Sequence, residues 1–328
     1  MKRYFSFAAI IFASFNFLIA QNTFEVQGDS LNNLVLPKNM ETSPLGTLGD
    51  IKTVGEGKQD LLLIAGWGFD PSVFDDFVKN NKKKFKMHLI TLPGFGNTKP
   101  QELPSPNISY GKQIWTNGCI KGIVNYIKEN NLKEVTVLSY FNVAAQIAIR
   151  LNIDYSEYIN KTIVISGAPT IIDASMKTPP TLKERIEVND NYYAPKWFKT
   201  VTKEVWNNSN FPPNFYSFDS ITGKKMWDQV ASVPMPIMIQ YLCEFNSQDV
   251  LLDINQIEKE LLVIVPGYDK KTLNEGSSMT SFINSNYIDP WLALKNPHIK
   301  VIKVENSANC IFCDNPNKLE GIISALFN

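Results

Sequence analysis

Residues 135–151 read VTVLSYFNVAAQIAIRL, and this stretch decides the fold class of the chain. Its first six residues, VTVLSY, are mostly apolar and β-branched, which is typical of a buried strand. The following NVAAQIAIRL is apolar nearly all round, which predicts a helix buried on most of its surface. Since no linker separates the two, the stretch predicts a sharp strand-to-helix turn with Phe141 at its tip.

Further apolar runs along the chain do not alternate with polar residues, which indicates buried parallel strands. They occupy residues 60–66, 87–94, 161–167, 261–267 and 299–305. Residues 116–131 have the spacing of an amphipathic helix. Strands that alternate with helices predict an α/β fold, with a mostly parallel sheet flanked by helices.

The interval between the fourth and fifth of the predicted buried strands is too long for a loop. Residues 170–257 hold short helical pieces separated by prolines and asparagines, and they are rich in aromatic residues. We therefore predict an α/β core made of residues 21–169 and 258–328, interrupted by a helical lid at 170–257. Lids cover pockets, so part of this one is expected to line a binding site, and its surface could also receive a protein partner.

The first twenty residues differ from the rest. A basic start, MKR, precedes an uncharged apolar run and then a polar segment, the three-part pattern of a secretory signal. Residues 1–20 are therefore predicted to be a signal peptide, cleaved near Ala20, and the protein to be exported to a periplasm or secreted. The alternative is an uncleaved anchor, although the run is short for a membrane span. Membrane contact is expected through this segment alone.

The charge balance limits the classes of binding partner, and the cysteines raise the question of disulfide bonds. Lysine plus arginine and aspartate plus glutamate number 32 each, and this balance argues against nucleic acid. Exported proteins can form disulfides, and the spacing of Cys310 and Cys313 suits either a redox pair or a structural bond. The pairing of the four cysteines stays open, Cys119 and Cys243 included. No metal or cofactor is expected.

Five segments, in order, resemble the α/β-hydrolase fold superfamily. They are LLLIAGWGFDPSVFDDF, LITLPGFGNTKP, the stretch at 135–151, LLVIVPGYDKK and IKVIKVENSANCIFCDNP. The resemblance implies that the third segment is the nucleophile elbow, with Phe141 where the family has its catalytic serine. It implies that Asp269 holds the position of the acid and Asn309 that of the histidine. The backbone N–H groups of Trp67 and Asn142 would form the oxyanion hole.

Neither a shifted register nor a distant histidine restores the triad. With Ser139 at the tip, the flanking residues Val137 and Phe141 would be too bulky for a tightly packed elbow. The chain has two histidines, His88 and His298. A strand of this length places His298 about 20 Å from the carboxyl edge of the sheet, where such active sites lie. The chain is therefore predicted to have a degenerate triad.

These residues predict a secreted pseudoenzyme that binds a small, apolar or ester-like molecule without Ser-His-Asp hydrolysis. The expected ligand pocket consists of Gly66, Trp67, Phe141, Asn142, Asp269 and Asn309. One alternative is an enzyme of atypical mechanism that uses Asp269 or Cys310. Another is a protein-interaction module that works through the lid.

Overall fold

The computed structural model describes residues 48–171, 180–209, 211–268 and 278–327. The predicted signal peptide at 1–20 and Asp269 lie outside the described residues. Seven strands form one sheet in the order β1-β3-β2-β4-β5-β6-β7. They are β1 Asp50–Val54, β2 Gln59–Ala65, β3 Phe85–Thr91, β4 Val135–Tyr140, β5 Ile159–Ile165, β6 Glu260–Gly267 and β7 Ile299–Glu305.

The sheet is parallel except at one edge. Strands β2 to β7 pair in parallel, with Leu63 of β2 opposite Leu89 on one side and Leu138 on the other. Strand β1 pairs antiparallel with β3 and was not predicted, because none of its five residues is fully buried and they form no apolar run. All six residues of the central strand β4 are buried, as expected for a strand covered on both faces. The predicted α/β architecture is confirmed.

Helices cover both faces of this sheet. Those of the core are α1 Asp75–Asn81, α2 Ile114–Glu129, α3 Asn142–Asp154, α10 Ser278–Ile283, α11 Asp289–Leu292, α12 Ile311–Asp314 and α13 Pro316–Leu326. A π-helical turn at Asn284–Ile288 joins α10 to α11. The stretch that predicted a helix buried nearly all round is α3, in which most side chains are buried.

The described chain between β5 and β6 is largely helical and is here called the insertion, residues 180–209 and 211–257. Its helices are α4 Leu182–Val188, α5 Ala194–Thr200, α6 Lys203–Ser209, α7 Pro213–Tyr216, α8 Ser220–Ser232 and α9 Met235–Asn246. A π-helical turn at Asn189–Tyr193 joins α4 to α5, and short 3-10 turns follow at Val250–Leu252 and Ile254–Gln256. That the insertion works as a lid, and that the domain limits lie where they were predicted, stay predictions.

Some classes of feature are absent from the part of the chain that the structure describes. Its helices all fall short of the length and hydrophobicity that a bilayer span requires. No three of its His, Cys, Asp or Glu side chains are grouped so that they could hold a metal ion.

Candidate functional site

A strained turn joins β4 to α3, and Phe141 is its tip. The residue has φ 69° and ψ 137°, and the next residue, Asn142, also has a positive φ of 27°. Positive φ costs an L-residue about 1–2 kcal/mol, so the surrounding structure must hold the turn in place. The β4 strand is fixed on both sides by parallel neighbours, and the Phe141 N–H donates to the Ile165 carbonyl at 3.0 Å. The turn therefore has the backbone geometry of a strand-to-helix elbow.

The loop after β2 packs directly against this elbow. The N–H of Gly66 donates to the Tyr140 carbonyl at 2.9 Å. A Cβ on Gly66 would lie 2.6 Å from the Phe141 carbonyl oxygen and 2.7 Å from the Ala144 nitrogen, closer than side-chain atoms come. Only glycine fits there, and Trp67, which follows it with φ 60°, is thereby brought beside the elbow.

The side chain of Phe141 is fully buried in a group of aromatic rings, here called the aromatic cluster. Its ring stacks on Tyr287 with the centroids 5.6 Å apart and the planes 26° from parallel. Four more rings have centroids within 6.3 Å of it, those of Phe69, Tyr140, Phe215 and Tyr216. These rings fill the space in front of the elbow, so a ligand at that point would have to displace them.

Asn309, in the loop after β7, is fully buried near the same edge of the sheet. Its side-chain amide donates to the Phe215 carbonyl at 3.1 Å and to the Tyr268 hydroxyl at 2.7 Å. Its own carbonyl accepts from the Ser166 hydroxyl at 2.7 Å. The Asn309 donor is therefore engaged with helix α7 and with the residue that follows β6, and the ring of Phe215 in turn contacts Phe141.

Helix α7 of the insertion is bonded to the loop after β7. The Cys310 N–H donates to the Tyr216 carbonyl at 2.7 Å. The Asp314 carboxylate accepts from the Ser217 hydroxyl at 2.6 Å and from the Phe218 N–H at 3.1 Å. Charge-assisted bonds of this kind are among the stronger ones in proteins, so they hold the aromatic residues of α7 against the elbow.

The cysteines divide into one bonded pair and two free residues. Cys310 and Cys313 form a disulfide, while Cys119 and Cys243 are free and buried. In this state Cys310 has no thiol with which to act as a nucleophile. The disulfide joins Cys310, which follows Asn309 in the chain, to Cys313 of helix α12.

Both histidines lie away from the elbow. His88 is buried in the middle of β3, where Nε2 bonds Asp60 at 2.9 Å and Nδ1 bonds the Tyr126 hydroxyl at 2.8 Å. His298 is exposed and precedes β7, at the amino edge of the parallel strands. The elbow follows the carboxyl end of β4, at the opposite edge. The placement of Asp269 relative to the elbow lies outside the described residues, so its facing the site stays a prediction.

Several tyrosine hydroxyls lie near Phe141. Burial raises the pKa of Tyr140 and of Tyr268 well above the ordinary value. Burial also raises the pKa of Tyr287, and the Asn142 side chain opposes that shift. These phenols are neutral near pH 7 and are weak general bases. The aromatic cluster therefore brings no obvious base to the elbow.

Two cavities lined by described residues lie away from the elbow. One of about 320 Å³ lies between the loop that follows β3 and helix α5, and a second of about 190 Å³ lies between the same loop and the start of α9. Neither cavity is lined by the described residues of the predicted pocket, which are Gly66, Trp67, Phe141, Asn142 and Asn309. That these residues and Asp269 line a ligand pocket stays a prediction.

Glu244 is a buried carboxylate that the sequence analysis did not single out. It projects from α9 and accepts from the N–H groups of Trp115 and Thr116 and from the Thr116 hydroxyl, each at 2.8 Å, and from the Gln240 amide at 2.9 Å. Burial raises its pKa, and these donors oppose the rise. Helix α2 has no side-chain cap of its own, so Glu244 caps it from the insertion. The sequence signal that could have identified Glu244 is that it is the one charged residue in the otherwise uncharged run PIMIQYLCEF.

Comparisons with known proteins agree with this architecture. The pimeloyl-(acyl-carrier protein) methyl ester esterase of Wigglesworthia glossinidia brevipalpis is 24% identical over 156 residues, 48% of this chain and 54% of that protein. The protein of that name from Shewanella oneidensis is 25% identical over 136 residues, 42% of this chain and 45% of that protein. The chain thus spans about half the length of the curated relatives it matches. No protein-family model matches it.

Solved structures extend the likeness to most of the chain. A hydrolase from Oleispira antarctica superposes with a TM-score of 0.58 at 14% identity, covering 88% of this chain and 98% of that one. Identity this low speaks for the fold alone. The sheet order, the elbow between β4 and α3 and these comparisons together show that the chain has the α/β-hydrolase fold.

Proposed function

We propose that this protein binds a small, largely apolar molecule and does not carry out Ser-His-acid hydrolysis. The observation that carries the proposal is Phe141, a fully buried phenyl ring at the positive-φ tip of the elbow. The triad mechanism needs a hydroxyl at that point to attack the substrate. A phenyl ring has no nucleophilic atom, and here it also occupies the space that a substrate carbonyl would need.

The proposal draws further support from the positions of the histidines, neither of which lies at the site. His88 is bonded to Asp60 and Tyr126, and His298 lies at the other edge of the sheet. Asn309 holds the position that the resemblance assigns to the histidine, and a carboxamide does not accept protons near pH 7. Two parts of the triad are thus replaced by residues that cannot perform their roles, and the triad is degenerate.

A second candidate is ester hydrolysis by an atypical mechanism, because the curated relatives are named as methyl ester esterases. Asp269 is the residue that such a mechanism would use as a base or nucleophile. The disulfide at Cys310 disfavours the cysteine route in the oxidised protein.

We also propose that the protein is exported. The charge and hydropathy pattern of residues 1–20 supports export, and so does the Cys310–Cys313 disulfide, since disulfides persist in oxidising compartments. Two other cysteines are free, but both are buried and so protected from oxidants.

Hydrolysis of p-nitrophenyl acetate and butyrate tests the two candidates against each other. The wild-type protein and the Asp269→Asn variant are expected to give the same rate, equal to that of a non-enzymatic protein control. A wild-type rate well above that control, lost in Asp269→Asn while the variant remains folded, would establish the second candidate and overturn the first.

A further inference from the structure

The cavity of about 320 Å³ has the size of a small-molecule site and lies where the core meets the insertion. One wall is the loop after β3, and the other is helix α5 with the turn that precedes it. Its apolar lining consists of Leu103, Pro104, Pro106, Ala194, Pro195 and Phe198. Prolines and a phenyl ring give flat, rigid surfaces that suit an apolar ligand body.

The polar lining of this cavity consists of acceptors and hydroxyls. The Asp190 carboxylate accepts the Tyr110 N–H through Oδ1 at 2.8 Å. Gln240, only 2% exposed, donates one amide N–H to Glu244, and its carbonyl oxygen is an acceptor that a ligand could use. None of the residues that line the cavity is Lys, Arg or His. Lys196, whose neighbours in the chain line it, donates instead to the Tyr192 hydroxyl at 3.1 Å.

A smaller cavity adjoins the first and is lined by a carboxylate and by exposed apolar side chains. It shares Pro104, Tyr110 and Gln240 with the larger one, and the buried Glu244 forms part of its lining. Its other side includes Ile108 and Ile114, which are 40% and 42% exposed, unusually high for isoleucine. Two carboxylates thus lie near the polar end of the site, and apolar side chains border the way out.

From this arrangement we propose that the cavity binds a small aliphatic amine, with its ammonium group at Asp190 and Gln240 and its hydrocarbon chain along the proline and Phe198 wall. An ammonium supplies donors to both acceptors and neutralises the Asp190 charge, whereas a carboxylate would face a like charge with no cation to offset it. The inference rests on the proposed binding function and names a place and a ligand class for it. It places the ligand away from the elbow.

Isothermal titration with three six-carbon probes tests the charge requirement. Hexylamine, hexanol and hexanoate have nearly the same apolar body and differ in the charge of the head group. Hexylamine is expected to bind one equivalent, hexanol more weakly, and hexanoate at least tenfold more weakly than hexylamine. Equal binding of hexylamine and hexanoate, or no binding of hexylamine at millimolar concentration, would overturn the proposal.

Variants of the protein locate the site. Asp190→Asn keeps an oxygen for the Tyr110 N–H and removes the charge, so it is expected to weaken hexylamine binding tenfold or more. Ser105→Trp, on an exposed part of the lining, is expected to block the cavity without disturbing the core. Asp228→Asn removes an exposed carboxylate on α8 as the matched control and should leave binding unchanged.

Unchanged affinity in both Asp190→Asn and Ser105→Trp would show that hexylamine binds elsewhere and would overturn the proposal. Failure of the amine titration leaves the absence of triad hydrolysis intact, because the ester assay measures that separately. Conversely, ester turnover would refute the proposed function whatever the amine titration shows.

Discussion

Replacing Phe141 by alanine should destabilise the protein strongly and reveal the strain at the elbow. The side chain is fully buried, and five aromatic rings have centroids within 6.3 Å of its own. Truncation of a buried phenylalanine to alanine costs about 3–5 kcal/mol. Aromatic pairs add about 0.5–1.5 kcal/mol beyond buried area, so we expect a loss near the upper end, about 4–5 kcal/mol. Urea unfolding followed by circular dichroism measures it.

The Phe141→Gly variant separates backbone strain from lost packing. At an ordinary position glycine is less stable than alanine by about 0.5–1 kcal/mol. At φ 69° alanine keeps a strain of about 1–2 kcal/mol that glycine relieves, so Phe141→Gly should be more stable than Phe141→Ala by about 1 kcal/mol. Phe74, equally buried but with φ −98°, is the matched control, and there glycine should be the less stable replacement.

Two outcomes would refute this reasoning. A loss below about 1 kcal/mol in Phe141→Ala would mean that the ring is not packed as the aromatic cluster requires. The usual order of alanine over glycine at both Phe141 and Phe74 would mean that the elbow is unstrained.

Three other predictions concern the insertion, the disulfide and export. Glu244→Gln should lower the free energy of unfolding by about 1–3 kcal/mol, because the glutamine amide cannot accept from both N–H groups of α2 and leaves one of them buried and unpaired. Burial raises the folded-state pKa of Glu244, so ionisation of this carboxyl disfavours the folded state. The stability advantage of wild type over Glu244→Gln, measured by urea unfolding, should therefore shrink as pH rises from about 4 to 8. A stability advantage that grows with pH would contradict this. Replacing Cys310 and Cys313 together by alanine should lower the free energy of unfolding by about 2 kcal/mol, as expected for the short loop that this disulfide closes, and should leave hexylamine affinity unchanged. A loss of affinity at unchanged stability would contradict a structural role for the disulfide. Protein recovered from outside the native cytoplasm should have, by intact mass, the mass of a chain that begins after Ala20. A mass that includes residues 1–20 would contradict cleavage.

The sequence predicted the sheet well because buried parallel strands are continuous apolar runs. Strand β4 begins and ends where the pattern placed it, and its sharp junction with α3 identified Phe141 as the tip. Strand β1 escaped because a short, half-exposed edge strand depends on pairing with β3 and not on its own apolar content.

What surrounds the elbow could not be predicted from the sequence. The rings that close over Phe141 come from β4, the loop after β2, helix α7 and the turn before α11, and nothing local marks them as neighbours. The sequence therefore carried no information on the rings that pack around Phe141, and the ligand pocket predicted there stays a prediction. The cavity of about 320 Å³ was missed for a similar reason, since Asp190 and Gln240 of the insertion face Leu103 to Tyr110 only when the insertion folds onto the loop after β3.

Reaction with a fluorophosphonate probe tests the central claim, that the elbow holds no nucleophile, most directly. The mature protein is incubated with excess probe, and adducts are measured by intact mass, with a serine esterase as the positive control. No adduct is expected, because Phe141 occupies the tip and Ser139 is buried in β4 with its hydroxyl on the Ile163 carbonyl. Stoichiometric labelling of any serine in the folded protein would contradict the account.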